Sequence, residues 1–457
     1  MTDSTLAMFG GRPVRTAPFA TTPVVGEPEI AAVMDVFRAN EFSRYAGGPG
    51  VNVEQLLRMT SEDARNFPMA YWSFLGGDKV RAFEADFARM FESPFAIAVN
   101  SATSGLSTAL AAAGVGPGDE VIVTAMSFTA TASAIVMFGS IPVFADVDAR
   151  TFCIDPSAIE RVITPRTRAI VVVHLLGNAA DMDPIMAIAR RHHLVVIEDA
   201  CQAPLTRYKG RIVGTIGDAG VYSLQESKNI MAGEGGVIIT ANPDVARRCR
   251  LIRNHGEAVP DEGCPVEDLV VGYNFRMTEM TAALGVEQLK RLHRSNAVRD
   301  TNAASLCRRL GGLAGLSSPY VPPGVEYHCH VLGMLYDATA TGVSRGLIVK
   351  AVREEGIPVG TGYLRLMYQN PIFLRRSAFR DSGFPFTLNP ASTARCGNGL
   401  CPVAEDLIHN RFIWIYQIND PSTEDDMADI ALAFEKVWAS LDRLRTYTGD
   451  VVVEYTR

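Results

Sequence analysis

The stretch AIVVVHLLGNAADMDPIMAIARRHHLVVIEDA, residues 169–200, decides the fold. It opens on an apolar run, AIVVVHLL (169–176), and passes into DPIMAIARRHH (183–193), which reads as a helix with a basic end. It closes on a second apolar run, LVVIEDA (194–200). Strands without polar alternation are buried on both faces, so a strand–helix–strand unit of this kind predicts a mostly parallel sheet covered by helices.

The same alternation extends in both directions. Upstream lie strand candidates FAIAV (95–99), EVIVTA (120–125) and IPVFADV (141–147). Between them come helical patterns TSGLSTALAAAGVG (103–116), SFTATASAIVMFG (127–139) and DPSAIERVI (155–163), the last opened by Asp155 and Pro156. VRAFEADFARMF (80–91) sets Phe83, Phe87 and Phe91 on one helical face. Downstream, AGVYSL (219–224) and GGVIIT (235–240) complete the strand set. The expected fold is α/β, with a three-layer, mostly parallel sheet in a large domain over 78–295. An N-terminal arm and inserted loop (1–77) precede it. A smaller α+β domain (296–457) follows, with a long helix leaving the large domain at MTEMTAALGVEQLKRLHRSNAVRD (277–300). Within the smaller domain, YHCHVLGMLYD (327–337) reads as a strand, and SRGLIVKAVREEG (344–356) and DDMADIALAFEKVWASL (425–441) read as helices. Residues 41–77 and 376–400 look irregular, and loops this long are usually functional or disordered.

Composition excludes several classes. A net charge of −7 leaves no basic footprint for nucleic acid or an anionic membrane. No run of about 18 apolar residues suggests a membrane span. MTDSTLAMFGGRPVR lacks the basic start and apolar run of a signal peptide, so a cytoplasmic protein is expected. Cys153, Cys201, Cys249, Cys264, Cys307, Cys329, Cys396 and Cys401 form no CxxC pair and read as reduced thiols. His174, His328 and His330 form no metal-binding spacing, and no metal is expected.

In open α/β sheets, ligands bind beyond the carboxyl ends of the strands. Asp199 follows a buried run there and needs a partner; taken alone, it suits a helix cap or an ion pair. Lys228, in YSLQESKNIMAGEGG (222–236), lies between a strand and a glycine-rich turn. Such a lysine is usually a surface residue, but lysine is also the side chain that forms Schiff bases with pyridoxal phosphate (PLP). Bound PLP needs a partner for its pyridine nitrogen, and Asp199 is placed to be one. It also needs a phosphate site. NSATSGLSTAL (100–110) enters a helix through small residues, with Ala102 and Thr103 at the entry, where backbone amides attract phosphate. Phe128 starts the next helix and can stack on a ring. Each residue has a plainer structural reading by itself; their joint order points to PLP.

This set resembles the DegT/DnrJ/EryC1/StrS aminotransferases, PLP enzymes of the aspartate aminotransferase fold. The matching motifs are SATSGL (101–106), PGDEVIVTAMSFTATASAI (117–135), VHLLGNAADMD (173–183), VIEDACQA (196–203), YKGRIVGTIGDAGVYSLQESK (208–228), AGEGG (232–236), RNHGE (253–257) and GYNFRMTEMTAALGVEQL (272–289). The resemblance implies that Lys228 is the Schiff-base lysine and Asp199 the pyridine-nitrogen partner. It places Gln202 beside the ring and its phenolate oxygen, and makes Phe128 the stacking aromatic. Ala102, Thr103 and Ser223 fall at the phosphate; the family usually has Gly-Thr where this chain has Ala-Thr. Asn274 falls where an asparagine reaches the phosphate of the neighbouring subunit, so a homodimer with shared sites is implied. Retention of lysine, where the family's sugar dehydrases carry histidine, favours transamination through pyridoxamine phosphate (PMP), with L-glutamate or L-glutamine as donor.

SLQESKNIMAGEGG (223–236), LAMFGGRPVR (6–15) and CPVAEDL (401–407) are similar to inosose aminotransferases and aminohydroxybenzoate synthases of antibiotic pathways. The acceptor implied is a keto cyclitol, keto sugar or related natural-product carbonyl. Two other readings stand beside this one: an aromatising PLP lyase of the aminohydroxybenzoate synthase type, and a catalytically silent binding protein on the same fold.

Overall fold

The computed structural model describes residues 5–20, 24–45, 53–67, 74–256, 270–363, 365–392 and 396–451. Cys264 and Glu257 of the RNHGE motif lie outside them, as do parts of the two irregular segments. The apolar runs form seven strands: β1 (Phe95–Val99), β2 (Glu120–Thr124), β3 (Ile141–Ala145), β4 (Thr167–Val173), β5 (Val195–Asp199), β6 (Ala219–Ser223) and β7 (Gly236–Thr240). They make one sheet in the order β1-β7-β6-β5-β4-β2-β3. The pairs from β6 through β5, β4 and β2 to β3 are parallel; only β7 runs antiparallel to both of its neighbours.

The longer helices among the described residues frame this sheet and a second body: α1 (Glu27–Ala39), α2 (Asp78–Met90), α3 (Ala102–Ala112), α4 (Ala130–Met137), α5 (Pro156–Val162), α6 (Met182–His192), α7 (Pro243–Arg253), α8 (Glu279–Leu310), α9 (Arg345–Glu354) and α10 (Glu424–Trp438). The sequence signals act as expected. The Asp155 side chain accepts from the Ser157 amide at the start of α5, with Pro156 at the first helical position. Phe83, Phe87 and Phe91 are all fully buried, and the rings of Phe87 and Phe91 stack at 4.0 Å. Among the described residues, no helix is long and apolar enough to cross a membrane.

The β1 edge of the sheet is covered. On β1, the Ser61 hydroxyl donates to the Ala96 carbonyl (3.1 Å) and accepts from the Ala96 amide (2.8 Å). Two residues along, the Ala98 amide donates to Glu84 Oε1 (2.9 Å) and the Ala98 carbonyl accepts from Arg253 Nη1 (3.0 Å). Glu84 and Arg253 are themselves paired at 2.5 Å and almost wholly buried. At the other end of the sheet, the late irregular segment packs along β2 and β3. Ser392 donates to Glu120 at the amino end of β2 (2.5 Å), and the amides of Val403 and Ala404 donate to Asp146 just past β3 (3.0 and 2.9 Å). The described part of residues 376–392 thus braces the end of the sheet away from the ligand-binding side.

The second body is built on a four-stranded antiparallel sheet in the order β8 (Leu316–Ser317), β9 (Leu332–Tyr336), β11 (Phe412–Ile415), β10 (Val359–Thr361). Its core gathers Leu306, Met334, Ile348, Ile413 and Phe434 with Leu6 from the N-terminal arm. Two expectations are corrected here. The strand read over 327–337 is confined to Leu332–Tyr336. Residues 328–330 instead hand their amides to separate acceptors, Thr206 Oγ1, Asp300 Oδ1 and the Leu176 carbonyl, so no ladder forms. The long helix runs on to Leu310, which carries it from one core into the other. Residues 366–408 return to the first core through Leu366, Met367, Tyr368 and Phe373.

Candidate active site

The carboxyl ends of β5 and β6 converge on the amino end of β7. Asp199 ends β5 opposite Val221 of β6, and Ser223 ends β6 opposite Gly236 of β7. Asp199 is only 5% exposed. It caps no helix and forms no ion pair among the described residues. Its Oδ2 accepts from the Thr131 hydroxyl (2.9 Å), which also bonds the Ser127 hydroxyl (2.9 Å). The Thr131 amide donates to the Phe128 carbonyl (3.1 Å), so one short turn ties the aromatic to the carboxylate. Phe128 itself is 57% exposed at the mouth of the site.

Glu198, one residue earlier, points to the opposite face, as strand alternation demands. It accepts from the amides of Gly214 (2.7 Å), Ile216 (2.6 Å) and Gly217 (2.6 Å), and from His174 Nε2 (2.9 Å). His174 Nδ1 accepts from the Ala180 amide (3.2 Å), which assigns the ring proton to Nε2. His174 is therefore a buried structural group.

Lys228 sits in the turn between β6 and β7. The turn is held from within: Gln225 Oε1 accepts from the Ser227 amide (2.9 Å) and hydroxyl (2.6 Å). It is held from outside by the Tyr416 hydroxyl, which donates to the Ser227 carbonyl (2.9 Å). Next to the lysine, Asn229 donates to Asn296 on α8 (2.9 Å) and bonds His330 Nδ1 (2.9 Å). Burial pushes the Lys228 ammonium below the ordinary lysine value, while Cys201 and Asp199 oppose that shift. A lowered value raises the fraction of free amine, the nucleophilic and basic form.

At the entry of α3, the Ser101 side chain accepts from the Ser104 amide (3.1 Å). The amides of Ala102 and Thr103, the first two of the helix, have no protein acceptor among the described residues, which is the arrangement that attracts phosphate. Gly236 lies against this entry. A Cβ there would meet the Ala102 nitrogen at 2.6 Å, so only glycine lets the strand pass beneath the helix. Ser223, paired with Gly236, lies at the same corner, and its hydroxyl accepts from the Gln225 amide (3.2 Å). These groups fit PLP: unclaimed amides and a hydroxyl for the phosphate, a buried carboxylate for the pyridine nitrogen and an amine of lowered basicity for the carbonyl. Gln202 Oε1 accepts from the Leu176 amide (2.8 Å), and its Nε2 donates to the Tyr363 hydroxyl (2.5 Å). Asn274 is exposed, and its carbonyl accepts from Asn100 Nδ2 (3.4 Å) at the approach to α3.

A mostly parallel sheet whose carboxyl end gathers a buried carboxylate, a lysine turn and a helix N-terminus fits an α/β enzyme that binds PLP. The chain belongs to the DegT/DnrJ/EryC1/StrS aminotransferase family, which it matches over residues 60–394. It is 35% identical to the L-glutamine:2-deoxy-scyllo-inosose aminotransferase of Streptomyces fradiae, over 95% of this chain and 97% of that one. An aminotransferase from Psychrobacter cryohalolentis superposes with a TM-score of 0.76 at 31% identity, covering 93% of this chain and all (100%) of that chain. A 3-amino-5-hydroxybenzoic acid synthase superposes with a TM-score of 0.73 at 25% identity, covering 93% of this chain and 99% of that one. The chain is an aminotransferase, and the silent binding protein is set aside.

The structure adds three residues that the sequence reading missed: Tyr363 on Gln202, Tyr416 on the lysine turn, and Arg299 beside it. Burial pushes the Tyr363 hydroxyl up to about 12, against the Gln202 bond. It therefore stays protonated. All three come from α8 or the second body, and no local motif marks them.

Proposed function

We propose that this enzyme is a PLP-dependent aminotransferase that moves an amino group from L-glutamine or L-glutamate to a keto cyclitol or a similar polyhydroxylated ketone. The observation carrying this reading is the meeting of Asp199, Lys228, Ser223 and the two free α3 amides at one end of the sheet. The near full-length similarity to an inosose aminotransferase supports the acceptor class.

Bound PLP supplies a carbonyl carbon to carry the amino group and a ring that takes up the electrons of a broken C–H bond. The amides of Ala102 and Thr103, with the Ser223 hydroxyl, would hold its phosphate. Asp199, oriented by Thr131, would keep a proton on the pyridine nitrogen. Phe128 would cover the ring face, and Gln202, backed by Tyr363, would lie on the side of the phenolate oxygen. Lys228 Nζ takes the proton from the donor's Cα and returns it; general-base catalysis of this kind contributes about 10²–10⁴-fold. With the acceptor, Lys228 would return the proton in the reverse sense, so ping-pong kinetics are expected.

A homodimer in the cytoplasm fits this reading. Ile30, Met34 and Phe37, 50%, 44% and 51% exposed, form an apolar stripe on α1 at helical spacing. Exposed Val271 and Tyr273 flank Asn274, the residue assigned to the partner's phosphate site.

The test combines spectroscopy and mass spectrometry. L-Glutamine should convert the visible PLP band of the wild-type protein to that of PMP, and 2-deoxy-scyllo-inosose should then yield an amino product and restore the band. A Lys228→Ala protein that keeps normal turnover would overturn the assignment. Aromatisation of a cyclic keto acid without band conversion by an amino donor would favour the lyase reading.

A further inference from the structure

A cleft on the second-body side of the lysine turn is lined by Lys228, Arg299 of α8 and Tyr416. Arg299 is 3% exposed, yet no carboxylate pairs with it among the described residues. Its one hydrogen bond to the backbone runs from Nη1 to the His330 carbonyl (2.7 Å), and its Nε has no partner. The guanidinium carbon lies 5.8 Å from the centre of the Tyr416 ring. A buried cation without a counter-ion is costly, and here it stands beside a second one, Lys228.

Asp300, the next residue, draws on Arg299, but its carboxylate is engaged with His328 Nδ1 (2.7 Å) and the Cys329 amide (2.8 Å), and the guanidinium is bonded to Tyr416. The other charges around the cleft form no ion pair with it among the described residues. Glu226 is exposed, and Asp420 lies 4.0 Å from Arg294. Arg291 is taken up by Glu29 (2.8 Å). Burial, with Lys228 and Arg299 adding to it, holds the His330 imidazole well below its ordinary value, so that ring is neutral.

We propose that Arg299, with the Tyr416 hydroxyl beside it, binds the α-carboxylate of the amino-acid donor and thereby sets the donor's Cα next to Lys228. The inference rests on the aminotransferase reading above. It deepens that reading by separating the two substrates: the donor brings an anion to Arg299, and a neutral polyhydroxylated ketone does not. A planar guanidinium matches a carboxylate in geometry as well as charge.

The experiment measures the two half-reactions separately by stopped-flow absorbance, in the wild type and in Arg299→Gln. The donor half-reaction with L-glutamine should lose about 10- to 100-fold in kcat/KM, while conversion of the PMP-loaded protein by 2-deoxy-scyllo-inosose should change less than about threefold. Calorimetry adds a direct binding measure. The wild type should bind L-glutamine but discriminate against L-isoglutamine, whose α-carboxylate is an amide, and Arg299→Gln should lose that discrimination. If Arg299→Gln fails to fold, Arg299→Lys is measured in its place, with the same asymmetry expected. Equal losses in both half-reactions, or an unchanged donor half-reaction, overturn the proposal. A wild-type protein that converts neither substrate overturns the aminotransferase reading instead.

Discussion

The behaviour of Lys228 depends on its depth. Its ammonium is held below the ordinary lysine value, chiefly by burial. In the cofactor-free protein, the folded state therefore releases its proton at a lower pH than the unfolded chain. Between those two values the unfolded state binds more protons, so stability rises with pH. Lys228→Met should accordingly be more stable than the wild type at neutral pH, with the gap in urea midpoint shrinking as pH climbs towards the ordinary lysine value. In its proposed role Asp199 would keep a proton on the pyridine nitrogen, which Asn cannot do. Asp199→Asn should lower kcat by about 10²–10³-fold, the usual weight of one preorganised electrostatic partner. Thr131→Val, which removes only the orienting hydroxyl, should cost less in the same steady-state assay. Asp199 and Lys228 were legible in the sequence because each ends or follows an apolar run. Arg299, Tyr363 and Tyr416 were not, because their meaning comes from what the chain brings opposite them. The Glu198 contact accounts for the burial of His174.

At the scale of elements, the predictions concern contacts that leave no room or no substitute. Gly236→Ala forces a methyl group against the first amide of α3. PLP affinity should fall by at least an order of magnitude, about what one charge-assisted hydrogen bond contributes, and equilibrium dialysis checks it. Glu84→Ala strips the partner from buried Arg253 and from the Ala98 amide. Breaking a buried pair from one side costs about 3–5 kcal/mol, to be read from the urea unfolding midpoint. Strands and helices of the first body were legible because apolar runs and caps are local signals. The stretch 327–331 was not, since its alternating pattern is that of a strand while its hydrogen bonds go to scattered side chains and loops. The irregular segment 376–400 read only as a long loop, functional or disordered. Its contact with Glu120 lies at the amino end of β2, a relation that only the folded sheet reveals.

At the scale of the molecule, α8 passes from the first core to the second and carries Arg299 on the way. The apolar stripe on α1 gives the proposed dimer a test. Met34→Asp with Phe37→Asp should shift the sedimenting species from dimer to monomer and reduce activity in parallel, since Asn274 serves the partner's site in this reading. A different association is blocked by design of the sheet ends. The outward groups of Ala96 and Ala98 on β1 are occupied by side chains, and Val403, beyond the late segment, donates to Asp146 just past β3. A strand row so covered offers no template for another chain to extend. The Glu84–Arg253 pair thus guards against fibre growth as well as anchoring a helix, and a chain that loses it should scatter light on mild heating before its helices melt.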